Sequence, residues 1–236
     1  MVRRHASSPA FASAYVFPGG TVRADDLSFP VGEPEHLAAL LSARSDTPVD
    51  AATGSALFVC AVRELFEEAG VLLARDSAGD LLRVDTSQTD LQELLEATRL
   101  SLQAAQTSLG QVLADHAWQP AFDRLVPFSH WITPRAIARR FDTRFFVAEL
   151  PPGQSALHDT IESTEGVWLS PAEALQPEYH TVYATAQHLH RLSAFASVAD
   201  LMDFAATKTI RMVSPEVNEH AEGLRVSIRA DIAESW

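Results

Sequence analysis

The chain has 236 residues, of which 47% are hydrophobic and 21% charged, an ordinary globular composition with room for one well-buried core plus an accessory unit, or for two small domains. Its formal net charge of −13 excludes a general nucleic-acid surface, which needs a basic footprint, and repels any phosphate-bearing partner unless cations neutralise the site. The single cysteine, Cys60, excludes an internal disulfide, and no apolar run is long enough to span a membrane. The basic start, Met1 to His5, lacks the apolar stretch of a signal peptide, and the last residues are not the Ser-Lys-Leu peroxisomal address. The cytoplasm is therefore the default compartment.

In chain order, residues 1–4 read as the end of a strand, Ser7-Ser8-Pro9 as a loop and residues 14–17 as a short apolar strand. Pro18-Gly19-Gly20 turns the chain sharply, since glycine allows backbone conformations and close approaches that other residues do not. Residues 21–54 carry Asp25-Asp26, Pro30, Pro34 and Pro48, with one helix expected over 35–43; they read as a surface excursion placed to cover a site. A helix from Gly54 or Ser55 to Ala69 follows. Phe58, Val62, Leu65, Phe66 and Ala69 give it an apolar stripe, and Gly70 stops it. On another side Glu64, Glu67 and Glu68 fall at i, i+3 and i+4, so three carboxylates project from one turn. Such a cluster resists full ionisation unless a cation sits among its members, and hard oxygen ligands suit Mg²⁺ or Mn²⁺. The alternative for such a charged face is simple solvation. Cys60 lies in the same helix and reads as a packed, inert thiol.

Over 90–118, leucines recur at steps of three and four residues, giving one long helix or two broken near Gly110. Their face is intramolecular core or the seam of a homodimer, core being the commoner use of such a stripe. Residues 125–133 and 143–150 read as strands. Between them and at the start of the second, Arg135, Arg139, Arg140 and Arg144 form the one dense basic patch. Pro151-Pro152-Gly153 makes a turn, and Asp159, Glu162 and Glu165 precede a strand expected at 166–169. Ser170 and Pro171 are placed to cap and start a short helix. The tail reads as helices over 180–192 and 198–206, with strands near 209–213 and 224–228. The nine histidines show no zinc spacing, and there is neither a Walker-type loop nor a dinucleotide fingerprint.

Residues 63–71, Arg63-Glu64-Leu65-Phe66-Glu67-Glu68-Ala69-Gly70-Val71, match position for position the second half of the signature of the Nudix hydrolases. Tyr15-Val16-Phe17-Pro18-Gly19-Gly20 resembles the strand and glycine turn that open the same signature. In the usual pattern five residues separate the second glycine from a Glu, and the Arg comes eight positions after that Glu. Here Gly20 and Arg63 are 43 positions apart rather than 14, an insertion of 29 residues. Counting back from Arg63 lands on Ser55, so the usual Glu is absent in that register; Glu33, Glu35, Asp25 and Asp26 are open replacements. The interruption resembles the subgroup that includes the peroxisomal coenzyme A diphosphatases, as do Trp131-Ile132-Thr133-Pro134 and the arginine-rich run from Arg139 to Phe146.

The resemblance implies an α/β fold, a Nudix-type α/β/α sandwich with a mixed sheet, helical insertions and a C-terminal α/β extension. The Nudix hydrolase domain would span 1–178, with insertions at about 21–54 and 88–118, and the extension 179–236. A longer first strand is usual in the family, so a further N-terminal segment or a partner's segment would complete the sheet. The implied activity is Mg²⁺- or Mn²⁺-dependent hydrolysis of a nucleoside diphosphate linked to another group, with coenzyme A or a derivative as leading substrate. The implied metal ligands are Glu64, Glu67, Glu68 and a carbonyl of the turn at Gly19. Glu64 and Glu68 would be catalytic, with Arg63 as the orienting residue. Arg139 and Arg140 would bind substrate phosphate, and Glu162 or Glu165 would add an acidic group from a loop. The implied partner is a small-molecule diphosphate, with no nucleic-acid polymer and no membrane. The alternatives are a pyrophosphatase for ADP-ribose, NADH or nucleotide sugars, and a non-catalytic nucleotide-binding Nudix module.

Overall fold

The computed structural model describes residues 1–8, 11–84, 87–155, 163–220, 223–233 and 235–236. Strands β1 (Val2–Arg4) and β2 (Tyr15–Val16) pair antiparallel and lead into the glycine turn. Helices α1 (Ala24–Ser28), α2 (Pro34–Ser42) and α3 (Ala51–Ala69) follow. The third begins three residues earlier than its apolar stripe implies, because the Asp50 side chain accepts the Thr53 N–H at 2.9 Å and caps an extra turn. It ends at Gly70, which takes the left-handed conformation (φ 67°).

The stripe on α3 is buried as expected: Phe58, Val59, Val62 and Phe66 are at most 1% exposed and join Leu37 and Leu41 of α2 in the main core. The two helices approach closely because Gly54 has no side chain; a Cβ there would lie 2.7 Å from the Ala38 Cα. Strand β3 (Ala74–Arg75) pairs with β4 (Gln119–Pro120), and between them run α4 (Thr89–Gln103) and α5 (Leu109–Asp115). The leucine stripe thus forms two helices. The break falls at 104–108 rather than at Gly110: Ala105 turns left-handed (φ 53°), and the Ser108 side chain caps α5 by accepting the Gln111 N–H at 3.2 Å. Leu95, Leu102, Leu109 and Leu113 of this stripe are buried in the main core of the same chain.

Strands β5 (Val126–Ile132) and β6 (Asp142–Val147) form an antiparallel pair, and β7 (Ser163–Gly166) pairs with β1. After α6 (Pro171–Ala174), α7 (Tyr183–Leu192) and α8 (Val198–Thr207), strand β8 (Met212–Val213) lies parallel to β5. The sheet β6-β5-β8 is therefore mixed. A final hairpin joins β9 (Glu216–His220) to β10 (Gly223–Ser227). The polar sequence of β9 lacks the alternation that would mark it in advance. Ser170 caps α6 as expected, and Glu173 completes a capping box with it.

Alternation along β6 creates the layering. Phe146 packs into the main core with α2 and α3, whereas Phe145 faces His188 of α7, their ring centroids 4.2 Å apart. Helices thus cover both faces of the β5–β6 sheet. The second, smaller core holds Trp131, Val213 and Trp236, with the Trp131 and Trp236 rings edge-on at 4.8 Å. The chain after α8 is tied to this layer at Lys208, whose Nζ donates to the Phe128 carbonyl at 2.9 Å, while Arg44 donates to the Ala205 and Lys208 carbonyls.

His188 is 2% exposed; its Nδ1 donates to the Ala184 carbonyl at 2.7 Å, and its Nε2 accepts the Ser129 hydroxyl at 2.6 Å. Burial pushes its pKa down to about 4, helped by the charges of Lys208 and Arg191. The unfolded chain takes up this proton near pH 6.5, the folded chain only near 4, so stability falls as pH drops through that window. His188→Gln is expected to shallow the loss of urea stability between pH 6.5 and 4.5; an identical slope in the two proteins counts against this origin.

Candidate active site

Helix α3 brings together the three glutamates that its spacing aligns. Glu64, Glu67 and Glu68 are all buried, at 4–5% exposure. Buried carboxylates need donors, and the segment from Gly19 to Arg23 supplies several of them. The Gly19 N–H donates to Glu68 Oε2 at 2.8 Å. Gly20 lies against Glu64 so closely that a Cβ there would meet its Oε1 at 2.3 Å, which explains why this position has no side chain. Arg23 forks both terminal nitrogens onto Glu67, at 2.8 Å to Oε1 and 2.8 Å to Oε2.

Beneath this cap lies Arg63, 2% exposed and fully engaged. Its Nε and one terminal nitrogen bond the two oxygens of Asp26 at 2.9 and 2.8 Å, and the other terminal nitrogen reaches Glu64 at 2.5 Å and Glu67 at 3.4 Å. It also donates to the Thr21 carbonyl at 3.0 Å, fastening the turn to the helix. Burial opposes the charge on Arg63, but the Asp26 hydrogen bonds and the neighbouring Glu64 outweigh it, so its pKa rises. Burial likewise pushes the Glu64 carboxyl up, with Arg63 opposing. The Cys60 thiol, also buried, is pushed up to about 12 and remains a thiol, as its packing implies.

Among the open replacements for the displaced acid, Asp26 is the one that pairs with Arg63. Of Asp25, Asp26, Glu33 and Glu35, it alone is buried, at 2% exposure. Its Oδ2 also accepts the Arg23 N–H at 2.8 Å, closing the first turn of α1. Five residues separate Gly20 from Asp26, the interval of the uninterrupted signature. The interruption therefore lies after the acid, and counting forward from the glycine rather than back from Arg63 finds it. Arg23 has no such signal, because a pairing across 44 positions follows only from the folded path of the turn.

The far end of α3 is held by the second addition. Arg99, 2% exposed, donates to the Glu67 carbonyl at 3.1 Å, and the Gln103 side chain donates to the same oxygen. A carbonyl in the last helical turn lacks an intrahelical partner, and a cation there suits the helix dipole. One turn of α3 is thus fixed on both sides.

Other expected residues lie elsewhere. Arg139 stacks on the Phe141 ring at 5.5 Å, and Arg140 Nε donates to the Thr133 carbonyl at 3.0 Å; both are exposed and neither bonds the carboxylates. Arg144 donates to the Thr47 carbonyl at 3.1 Å. Glu162 lies outside the described residues, and Glu165 is described only through its backbone, which pairs with Arg3 in the β1–β7 ladder.

Hard oxygen donors from one helical turn fit a divalent ion chemically. Among the described residues, Asp26, Glu64, Glu67 and Glu68 gather around two guanidinium groups, Arg23 and Arg63, an arrangement rich in negative charge. The side chains are turned onto protein donors instead, and among the described residues no three acidic, histidine or cysteine groups are arranged to hold an ion. The donor set fits a cation, and Arg23 is the group standing on one of its members.

Residues 30–185 match the family model described as the NUDT19 Nudix domain. The chain is 27% identical over 241 residues to the acyl-coenzyme A diphosphatase NUDT19 of Xenopus laevis, covering 89% of this chain and 63% of that protein. It is 29% identical over 245 residues to the protein of the same name from Gallus gallus, covering 89% and 64%. It therefore spans less than two thirds of the length of these curated relatives. The crystal structure of a NUDIX hydrolase from Alicyclobacillus acidocaldarius shares the fold, with a TM-score of 0.60 at 24% identity and 86% coverage of each chain.

Proposed function

Because this chain belongs to the NUDT19 Nudix domain family, we propose that it hydrolyses the diphosphate of coenzyme A or an acyl derivative, with Mg²⁺ or Mn²⁺ as cofactor. The observation that carries this reading is the buried turn of Glu64, Glu67 and Glu68 beneath Gly19 and Gly20. Carboxylates so placed cost stability unless they handle cations or protons. The names of the Xenopus laevis and Gallus gallus relatives favour coenzyme A over other capped diphosphates.

Glu67 and Glu68 would hold the metal, with Glu64 and a carbonyl of the turn at Gly19 as further ligands. Such an ion supplies charge neutralisation of the diphosphate and acidifies a bound water. Glu64, whose affinity for protons burial raises, would accept the proton as water attacks phosphorus. Arg63 fixes the direction of Glu64 and, through Asp26 and Thr21, the distance between turn and helix. Arg139 and Arg140, exposed beside the β5–β6 pair, would meet outlying phosphate, and Glu162 or Glu165 would add an acidic group. The catalytic domain would occupy 1–178 and the extension 179–236. No helix among the described residues is long and apolar enough to cross a membrane, and a cytoplasmic setting completes the proposal.

The test is product analysis with Mg²⁺ or Mn²⁺ across coenzyme A, an acyl-coenzyme A, ADP-ribose, NADH and a nucleotide sugar. The expected products from coenzyme A are 3′,5′-ADP and phosphopantetheine. Cleavage of another substrate instead keeps the chemistry and replaces the substrate; metal binding without turnover of any of them identifies a binding module.

A further inference from the structure

Arg23 is 39% exposed and stands at the end of the glycine turn, with both oxygens of Glu67 in its fork. Its backbone is pinned as well, through the N–H held by Asp26. A bidentate guanidinium occupies the lone pairs that a cation on Glu67 would use. Gly19 on Glu68 and Gly20 against Glu64 complete a cap in which each glutamate meets one residue of the same short segment.

We infer that Arg23 is a built-in counter-ion that competes with the divalent cation for Glu67 and, once displaced, receives the diphosphate. This rests on the reading of the carboxylates proposed above. Two physical arguments support the exchange. A partly exposed ion pair contributes little, whereas a compact dication among several carboxylates binds hard oxygens strongly, so the exchange runs toward the metal. The displaced side chain stays tethered by its pinned backbone, and a guanidinium fork matches two phosphate oxygens as well as two carboxylate oxygens. One arginine thereby shields the glutamates from mutual repulsion at rest and offers positive charge when an anionic substrate arrives.

The experiment is calorimetric titration of Mn²⁺ into the full chain without substrate, using wild type, Arg23→Met, Arg23→Lys and Glu67→Gln. Arg23→Met is expected to bind Mn²⁺ about tenfold more tightly, with Arg23→Lys in between, because one competing charge-assisted fork is lost or weakened. At saturating Mn²⁺, ADP serves as a diphosphate probe, and Arg23→Met is expected to bind it about tenfold more weakly. A merely loosened fold would move both affinities the same way. If Arg23→Met binds Mn²⁺ no more tightly, or binds ADP as wild type does, while Glu67→Gln still weakens Mn²⁺ binding, the inference falls and the carboxylate site stands. If neither wild type nor Arg23→Met binds Mn²⁺, both fall together.

Discussion

Arg63→Ala is expected to destabilise the protein by about 3–5 kcal/mol, the penalty for leaving buried charges without their partner. The guanidinium is 2% exposed and bonds Asp26, Glu64 and Glu67, each itself at least 95% buried. Its removal leaves those carboxylates facing one another in a space that water barely reaches. The loss is a large part of the roughly 5–15 kcal/mol that usually holds a domain folded. For a chain of this size it corresponds to a drop of about 6–20 °C in Tm. Arg63→Lys restores one positive charge but cannot span Asp26 and Glu64 together, so it is expected to recover only part of the loss. Urea denaturation at neutral pH measures all three proteins. A change below about 1 kcal/mol for the alanine variant would show that the buried cluster carries no such charge burden.

Glu68→Gln is expected to act in the opposite way, leaving the fold and removing the activity. Its amide oxygen can still accept the Gly19 N–H, so the turn keeps its anchor. One negative charge disappears from a crowded turn, and stability stays within about 1 kcal/mol of wild type. Turnover, by contrast, is expected to fall at least about a hundredfold, because a neutral amide is a poor substitute for a carboxylate in charge stabilisation. Steady-state kinetics and a thermal melt on the same preparation separate the two effects. Unchanged turnover would remove Glu68 from the mechanism; a collapsed melt would make it a structural residue.

Those contrasting expectations mirror what the amino-acid sequence disclosed. Glu64, Glu67 and Glu68 were legible because helix periodicity is local: spacing alone puts them on one turn, and the stripe of Phe58, Val62 and Phe66 decides which face is buried. Gly70 and the Ser170 cap were legible for the same reason, being short-range turn and capping chemistry. Asp26 was visible only as one of four acids, because the count back from Arg63 crosses the insertion, whereas the count forward from Gly20 does not. Arg23 and Arg99 were invisible, because each meets Glu67 from far along the sequence and neither belongs to a pattern. The mixed sheet was expected in outline, but not that β8 would lie against β5. Two residues of parallel pairing leave almost no compositional trace.

The ladder between β1 and β7 has a consequence for how the protein is made. Val2 pairs with Gly166, and the Met1 amino group donates to the Val167 carbonyl across 166 positions at 2.7 Å. Strand β1 is therefore made long before β7, which covers one of its edges, and β5 waits until β8 has emerged. Contacts this distant in sequence slow folding, and an unpaired edge is a template for association with other chains. Synthesis delivers the motif helix early and the strands that close its surroundings late. A chain halted before residue 163 would leave that edge of β1 unpaired, a state prone to association with other chains.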